Sequence, residues 1–301
     1  MRPFHIEKAV LSGYFKPIMI IEKMQESERK KILDYLLPYE KFSVNLFAQI
    51  LNGAKSIYIV KGNFGEIHGV FDWYQGSSLH HCLPDVYGKN RHEMESAFVH
   101  FFNEMTMKYL FSISGEESGT LMLKSIIVKH FNKSPSTENE YYMMENERYD
   151  SAKDLKKMNK QLIVENAGTE EIEKIFILQE GFEKEEVVIE GHNFDRDLSF
   201  ARFENFVEEN AVYVGKIKNI PLCKLTVNAM GKNYALLAGI YTLPKYRKHG
   251  LAKAIVNSVT QKLLLADKKS VLFVKKSNIP AIKVYTDTGF KRFCDYRILY
   301  Y

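Results

Sequence analysis

The last 140 residues alternate between short apolar stretches with strand spacing and longer segments with helical spacing. Residues 234–242 form a long apolar run typical of a buried strand. Residues 251–267 repeat apolar side chains every three to four positions, which predicts an amphipathic helix. Pro280 and Gly289 have the positions expected at the start and just past the end of another helix. We also predict strands at 161–167, 212–217, 222–229, 271–274, 291–294 and 296–300, and helices at 169–182 (N-capped by Thr169) and 195–207.

The first half of the chain shows the same order of elements. The pattern predicts helices at 28–39, 43–51, 92–107 and 120–128, and strands at 56–61, 65–73, 79–83, 109–113 and 140–145. A repeated order of elements indicates an internal duplication. The polar stretch 147–160 lacks strand alternation and is typical of a linker. We therefore expect an α/β protein with a mixed sheet and two domains, residues 1–150 and 151–301.

The composition is that of an ordinary soluble globular protein, with 46% hydrophobic and 26% charged residues. No apolar run approaches the roughly 18 residues of a membrane helix, and the first residues lack the pattern of a secretory signal. We expect a cytoplasmic protein that does not associate with membranes. The three cysteines are far apart and form no CxxC motif, which predicts buried thiols and no metal site.

Charge is distributed unevenly along the chain. Residues 211–301 carry 17 basic and 3 acidic side chains, whereas residues 151–210 carry 8 basic and 15 acidic ones. A basic segment is typical of proteins that bind nucleic acid or a phosphorylated small molecule. The neighbouring acidic segment and the absence of an arginine-rich tract favour the small anionic ligand. Nucleic-acid binding stays a third hypothesis.

A basic loop connects the predicted strand 234–242 to the predicted helix after it. The start of a helix presents unpaired backbone N–H groups and a partial positive charge, which together favour a phosphate. Gly250 allows the backbone to approach a ligand closely, and Ala252 keeps the first helical turn narrow. Taken alone, the loop is also compatible with a solvated basic turn. Its basic side chains are Lys245, Arg247, Lys248 and Lys253.

Two motifs in this region resemble those of one enzyme family. Arg247 to Ala252 has the form R-x-x-G-x-A. Asn278 to Phe290 has the form N-x-x-A-x-x-x-Y-x-x-x-G-F. The motifs, their order and their places on the predicted elements resemble the GNAT superfamily of acetyl-CoA-dependent N-acetyltransferases. The resemblance covers about residues 161–301 and implies a splayed mixed sheet that holds acetyl-CoA between two strands.

The resemblance also implies roles for individual residues. Ile240, Tyr241 and Thr242 would bind the pantetheine arm of acetyl-CoA, with hydrogen bonds from the backbone groups of Ile240 and Thr242. Asn278 would bind the same arm, and Tyr285 would protonate the departing thiolate as a general acid. A buried core aromatic is the alternative role for Tyr285. The pyrophosphate would lie against the backbone of Lys248, His249, Gly250, Leu251, Ala252 and Lys253, beside Arg247.

The acceptor is expected to be a small-molecule amine, and its general base is left open. The strand 234–242 lacks the glutamate that some members of the superfamily carry there. Candidate bases are an ordered water, Glu180, Glu183, Asp195 and the terminal carboxylate of Tyr301. The acidic segment 151–210 favours a cationic amine, because acidic walls attract cations; a solvated acidic face is the alternative. A non-catalytic acetyl-CoA sensor or scaffold is the alternative function, and the oligomeric state is left open.

The first half lacks both motifs at the corresponding positions. When the halves are aligned on Phe131 and Phe290, Ile126 corresponds to Tyr285 and Gly119 to Asn278. The corresponding loop, 84–93, lacks R-x-x-G-x-A and has acidic residues at the helix start, where they would repel a pyrophosphate. We expect a degenerate GNAT-like domain that has lost CoA binding and acts as a scaffold or as a wall of the acceptor pocket.

Overall fold

The computed structural model describes residues 19–105, 109–146, 162–188 and 193–301. Within them, twelve strands form one mixed sheet in the order β1-β2-β3-β4-β5-β12-β6-β11-β10-β9-β8-β7. The strands of the first half are β1 Ile20–Lys23, β2 Ile57–Lys61, β3 Ile67–Tyr74, β4 Ser78–Cys82, β5 Ser112–Glu116 and β6 Thr137–Asn146. Those of the second are β7 Ile163–Asn166, β8 Val212–Ile217, β9 Ile220–Met230, β10 Tyr234–Thr242, β11 Lys269–Lys275 and β12 Lys291–Tyr300.

Helices cover both faces of this sheet. They are α1 Arg29–Leu36, α2 Val44–Leu51, α3 Arg91–Glu104, α4 Glu117–Phe131, α5 Ile172–Phe182, α6 Arg196–Glu208, α7 Leu251–Leu265 and α8 Ile279–Asp287. In the second half, α7 and α8 pack on one face through Leu251, Ile255 and Tyr285. The other face packs on α5 and α6 through Ile175, Phe176 and Phe203. The α/β fold with two similar halves, expected from the order of elements, is confirmed.

The last strand of each half pairs with the other half. β6 lies between β12 and β11, and β12 lies between β5 and β6, with all three contacts antiparallel. β5 therefore pairs with β12, and β11 pairs with β6, so the fifth strand of each half pairs with the sixth strand of the other half. Because of this reciprocal exchange, the central third of the sheet is built from both ends of the chain.

Two buried polar contacts also join the halves. Glu40, which is fully buried, accepts hydrogen bonds from the backbone N–H groups of Asn233 and Tyr234 at 2.8 and 3.0 Å. These bonds anchor the turn before β10. Asn146 on β6 donates from Nδ2 to the carbonyl oxygen of Thr288, at 2.8 Å, at the end of α8. The first half thus helps to position β10, which carries Ile240 to Thr242, and α8, which carries Tyr285.

Several boundaries differ from those expected from sequence. The strands predicted at 291–294 and 296–300 are one strand, because a register shift between Arg292 and Cys294 lets pairing with β6 continue. Gly168, not Thr169, caps a short 3-10 turn that precedes α5. β1 was not predicted, because four residues at a sheet edge give little periodic signal. The predicted linker 147–160 lies outside the described residues. No helix in the described part of the chain is long and apolar enough to cross a membrane.

Candidate functional site

A wedge-shaped cleft opens where β10 and β11 separate. The two strands pair in parallel at only three positions, the last being Leu236 with Val271, although both continue beyond it. Beyond this point β10 contains an irregularity between Ala238 and Tyr241, with Gly239 at φ +56°. The sheet is therefore splayed, as the resemblance implied, with the apex of the cleft beside Gly239.

The backbone of β10 presents hydrogen-bonding groups to this cleft. Leu243 N–H bonds to Leu222 O on β9 at 3.0 Å. Successive residues of a strand point their backbone groups to alternate edges. The groups of Thr242 therefore face away from β9, toward the cleft, whereas those of Tyr241 face β9. Ile240 lies within the irregularity between Ala238 and Tyr241, where this alternation is interrupted.

The basic loop ends in a helix start with unused N–H groups. The N–H of Ala254 bonds to Gly250 O, and those of Leu251, Ala252 and Lys253 precede it in the first turn of α7. Gly250 has φ +78°, and a Cβ there would point into open space. Glycine is thus required by the backbone conformation and not by crowding. Lys248 also has a positive φ, and His249 Nδ1 folds back onto Arg247 O at 2.8 Å.

An acidic segment, the π-helical turn Glu183–Val187 that extends α5, lies over this cleft. Glu185 accepts hydrogen bonds from Arg247 Nη2 at 3.0 and 2.7 Å and from Tyr241 Oη at 2.5 Å. Burial, and then the bond to Glu185, raise the pKa of Tyr241 to about 12. Glu186 accepts from Asn278 Nδ2 at 3.0 Å. Sequence reasoning missed this segment, because nothing local to it indicates contact with two motifs more than 60 residues away.

These contacts occupy two of the side chains expected to bind the cofactor. Besides its bonds to Glu185, Arg247 donates from Nε to the carbonyl of Thr242 at 3.1 Å. Asn278 Oδ1 caps α8 by accepting from Ala281 N–H at 3.1 Å. Lys253, in the first turn of α7, pairs with Asp287 on α8 at 3.2 Å. The loop and the start of α8 are thus held in place by side chains that also line the cleft.

Tyr285 is buried in α8, on the face of the sheet that α7 covers. It packs in one apolar cluster with Leu237, Leu251 and Phe290. Burial, and secondarily the charge of Glu186, raise the pKa of its hydroxyl well above the ordinary value of 10. The phenol is therefore protonated at neutral pH, which a general acid requires.

Lys224 on β9 is a buried lysine beside the cleft that the sequence did not reveal. It is fully buried, and its Nζ donates to Gly239 O at 2.7 Å and lies over the ring of Phe182 at 5.0 Å from the centroid. Burial lowers the pKa of Lys224 to about 7, and the nearby charge of Glu183 opposes this shift. The residues around Lys224 follow an ordinary strand pattern, so only the tertiary contact with Gly239 distinguishes it.

The candidate bases identified from sequence are dispersed. Glu180 pairs with Lys184, and Asp195 caps α6 by accepting from Leu198 N–H. Glu183 accepts from Gln179 Nε2 and lies close enough to Lys224 to influence its pKa. Tyr301 bonds to Phe111 and packs in the core of the first half, so its terminal carboxylate is not a base for the β10–β11 cleft. Among the described residues, no group of histidine, cysteine, aspartate and glutamate side chains could hold a metal ion.

In the first half, a side chain fills the corresponding position. β4 and β5 are parallel like β10 and β11, and the buried ring of His81 lies where they diverge. A Cβ on Gly115 or Gly119 would come within 2.3 or 2.5 Å of that ring. His81 also contacts Thr120 Oγ1 through Nε2 at 2.9 Å. The first half thus has a strand geometry similar to that of β10 and β11, with an imidazole packed where its two strands diverge.

Comparisons with known proteins agree with this architecture. The family model described as FR47-like protein matches residues 213–298, which include the basic loop and both motifs. No curated protein matches the sequence. An acetyltransferase of the GNAT family from Colwellia psychrerythraea has a similar structure, with a TM-score of 0.56 and 12% identity over 93% of this chain and 99% of that one.

Two other solved structures match along nearly their whole length. A Drosophila protein has a TM-score of 0.62 and 11% identity, covering 94% of this chain and 98% of that one. A tandem GNAT protein from the clavulanic acid biosynthesis pathway has a TM-score of 0.55 and 10% identity, covering 95% and 98%. At such identities the likeness shows the fold. The chain has the tandem GNAT fold, as its two motifs and repeated elements indicated.

Proposed function

We propose that this protein is an N-acetyltransferase that transfers the acetyl group of acetyl-CoA to a primary amine. The observation that carries the proposal is the separation of β10 from β11 directly beside the glycine-started helix α7. A strand edge that no neighbouring strand pairs with suits an extended amide-containing arm, and a helix start suits a pyrophosphate. Along the chain, residues 1–150 would form the degenerate half and 151–301 the catalytic half.

The described residues offer groups that would hold each part of acetyl-CoA. The N–H groups of residues 248–253 would hold the pyrophosphate, where Gly250 leaves open space. Backbone groups of Ile240 and Thr242 would hold the pantetheine arm along β10. Arg247 and Asn278 would reach the cofactor after exchanging their contacts with Glu185 and Glu186.

Tyr285 would donate a proton to the thiolate that leaves when the amine attacks. Its raised pKa keeps the hydroxyl protonated, and its place beside Leu237 and Leu251 puts it on the α7 side of the cleft. The acceptor would then approach from the other side, near α5 and the acidic segment. Glutamates are frequent there, which supports a cationic amine as the acceptor.

Release of CoA measured over a panel of amines tests the proposal. The panel should pair cationic amines with neutral ones of similar size and should include a salt series. We expect turnover with cationic amines and a decrease at high salt, because exposed charges are screened. Tyr285→Phe should lower kcat about 100-fold or more while acetyl-CoA binding stays intact. Equal turnover of neutral and cationic amines would contradict the preference for cationic acceptors but not the acetyl transfer.

A non-catalytic sensor of acetyl-CoA is the second candidate function. The absence of an acidic residue from β10 favours it. The two candidates differ in one measurement, since a sensor binds acetyl-CoA but releases no CoA with any amine. Thermal melting establishes binding first, because a ligand at 100 times its Kd stabilises a protein by about 2.7 kcal/mol.

A further inference from the structure

Lys224 combines deep burial, a backbone contact at the apex of the cleft and the lack of an acidic partner. Lysine is rarely fully buried unless it is paired. Within the described residues, Lys224 forms no ion pair, and its hydrogen bonds go to Gly239 O at 2.7 Å and Thr226 Oγ1 at 3.5 Å. Both acceptors are neutral, and burial disfavours the ammonium form of Lys224, an effect that the charge of Glu183 and the ring of Phe182 oppose.

The contacts of Lys224 place it on the acceptor side of β10. It is paired directly with Tyr241 across the β9–β10 ladder, and both side chains face α5. Tyr285 lies on the opposite side, among residues that contact α7. A thioester at the apex of the cleft would therefore have a phenol on one side and an amine on the other.

We propose that Lys224 is the proton acceptor for the amine substrate, an inference that rests on the proposed acetyl transfer. Lys224 Nζ takes one proton from the substrate ammonium ion and later releases it to solvent. The neutral substrate nitrogen then forms a bond to the acetyl carbon as the carbon–sulfur bond breaks. Tyr285 Oη gives its proton to the leaving sulfur. The nitrogen then loses its second proton, which returns Tyr285 Oη to its protonated form. The sum is one amide, one thiol and one proton in solution.

The charge state of Lys224 supports this role. With a pKa of about 7, it is substantially unprotonated at neutral pH, as a general base must be. The charged group that faces it is Glu183 from the acidic segment, and its neighbour on β10 is Tyr241, whose hydroxyl bonds to Glu185. On β8 its partner is Val214, which carries no charge. Lys224 is therefore the group whose titration the pH profile of kcat/KM should report.

The test compares Lys224→Met with Lys224→Arg in the full-length protein. Methionine keeps much of the volume without a base, and arginine keeps a charge that does not titrate. We expect both variants to bind acetyl-CoA within about two-fold of wild type and to lose at least 100-fold in kcat/KM. The rise of kcat/KM through pH 7 should also disappear in both.

The possible failures are distinguishable. If the wild-type protein releases no CoA with any amine, the proposed function itself is wrong. An active wild type whose Lys224→Met variant keeps its pH profile, with a rate lowered only in proportion to its folded fraction, shows that Lys224 is structural. If one variant does not fold, the other still decides, since a retained rise through pH 7 in either overturns the proposal.

A polar cleft of about 910 Å³ lies between the two halves, away from the β10–β11 cleft. A row of polar side chains forms its floor, because Asp72 is directly opposite His80 on the β3–β4 ladder and His80 opposite Ser114 on β4–β5. Asp72 is 1% exposed. Within the described residues, its Oδ1, Gln49 Oε1 and His80 Nε2 have no hydrogen-bond partner.

We infer that this cleft binds a small organic cation bearing a primary ammonium group. Burial raises the pKa of Asp72, whereas side-chain hydrogen bonds with Ser56 and Gln49 lower it. An ammonium ion beside the unpartnered Oδ1 would satisfy both the charge and the hydrogen bonding of the ionised carboxylate. The described lining contains no lysine or arginine that could pair with Asp72. Glu209 adds a second acidic side chain to the lining. Asn45, Asn228 and the serines of β4 and β5 supply further polar contacts.

Calorimetric titration in the absence of acetyl-CoA tests this site. The probes are putrescine, spermidine and glucosamine, each compared with the neutral 1,4-butanediol or glucose. We expect at least one amine to bind, the neutral compounds to bind at least 10-fold more weakly, and Asp72→Asn to weaken the amine at least 10-fold. Glu26→Gln, an exposed acid elsewhere in the first half, is the control. Absence of binding, equal binding of the neutral compounds or an unchanged Asp72→Asn variant overturns the inference.

Discussion

The carboxylate of Glu185 accepts two hydrogen bonds from Nη2 of Arg247, at 3.0 and 2.7 Å. This pair joins the acidic segment to the loop proposed to bind the pyrophosphate, and it holds a negative charge at the mouth of the cleft. A pyrophosphate must therefore compete with Glu185 for Arg247. Glu185→Gln removes the charge while keeping the shape, so we expect acetyl-CoA to bind about two- to five-fold more tightly, as suits a half-exposed ion pair. Calorimetric titration measures the change.

Glu173→Gln is the matched control for this effect. Glu173 lies on α5, the same helix that continues into the acidic segment, and its ion pair with Arg196 is long, at 3.9 Å. Its substitution should leave the affinity unchanged. A weaker affinity in Glu185→Gln would show instead that Glu185 orients Arg247 for the ligand.

Gly250→Ala should weaken acetyl-CoA binding through the backbone. Alanine at a φ of +78° costs about 1 kcal/mol, so the variant will relax the loop away from its helix-start conformation. Gly65 provides an unusually close control, since it has φ +76°, is equally uncrowded and lies in the β2–β3 turn. Both alanine variants should lose similar stability in urea unfolding, and only Gly250→Ala should lose affinity. Equal affinity in the two variants would argue against the loop as the pyrophosphate site.

The sequence predicted those parts of the site that are local in the chain. The loop from Arg247 to Ala252 and the helix start after it are consequences of adjacent residues, and the two motifs identified the fold. The contact of Lys224 with Gly239 depends on the register between β9 and β10, which no short pattern encodes. The exchange of β6 and β12 likewise depends on long-range pairing, because the alternation of side chains in each strand is compatible with either partner.

The full-length protein should bind one molecule of acetyl-CoA. His81 fills the position in the first half that corresponds to the open cleft of the second, and α3 carries Glu93 in its first turn, where it opposes a phosphate. Calorimetric titration of wild type should give a stoichiometry of one. The isolated segment 1–150 is a poor test, because its β6 pairs only with strands of the second half. Two sites in the intact protein would show that the first half had kept its cofactor site.

His81 should also make the stability of the protein pH-dependent. Burial, and secondarily the charge of His80, lower the pKa of His81 from 6.5 to about 3. The folded state therefore resists protonation that the unfolded state accepts. Its contribution is fully present above pH 6.5 and is lost as the pH falls toward 3, at about 1.4 kcal/mol per pH unit.

His81→Asn removes this titration while keeping a polar side chain near Thr120. Urea unfolding between pH 5 and 6.5 should show the free energy of unfolding of wild type falling more steeply with acid than that of the variant, by about 0.7 kcal/mol per pH unit near pH 6.5 and by about 1.3 near pH 5. Carboxylates and His80 are present in both proteins, so their contributions to the pH dependence of stability cancel in the comparison. The variant will be less stable at pH 7, because a smaller side chain leaves space against Gly115 and Gly119. Parallel pH profiles would mean that His81 is protonated in the folded protein, which its enclosure between β4, β5 and α4 opposes.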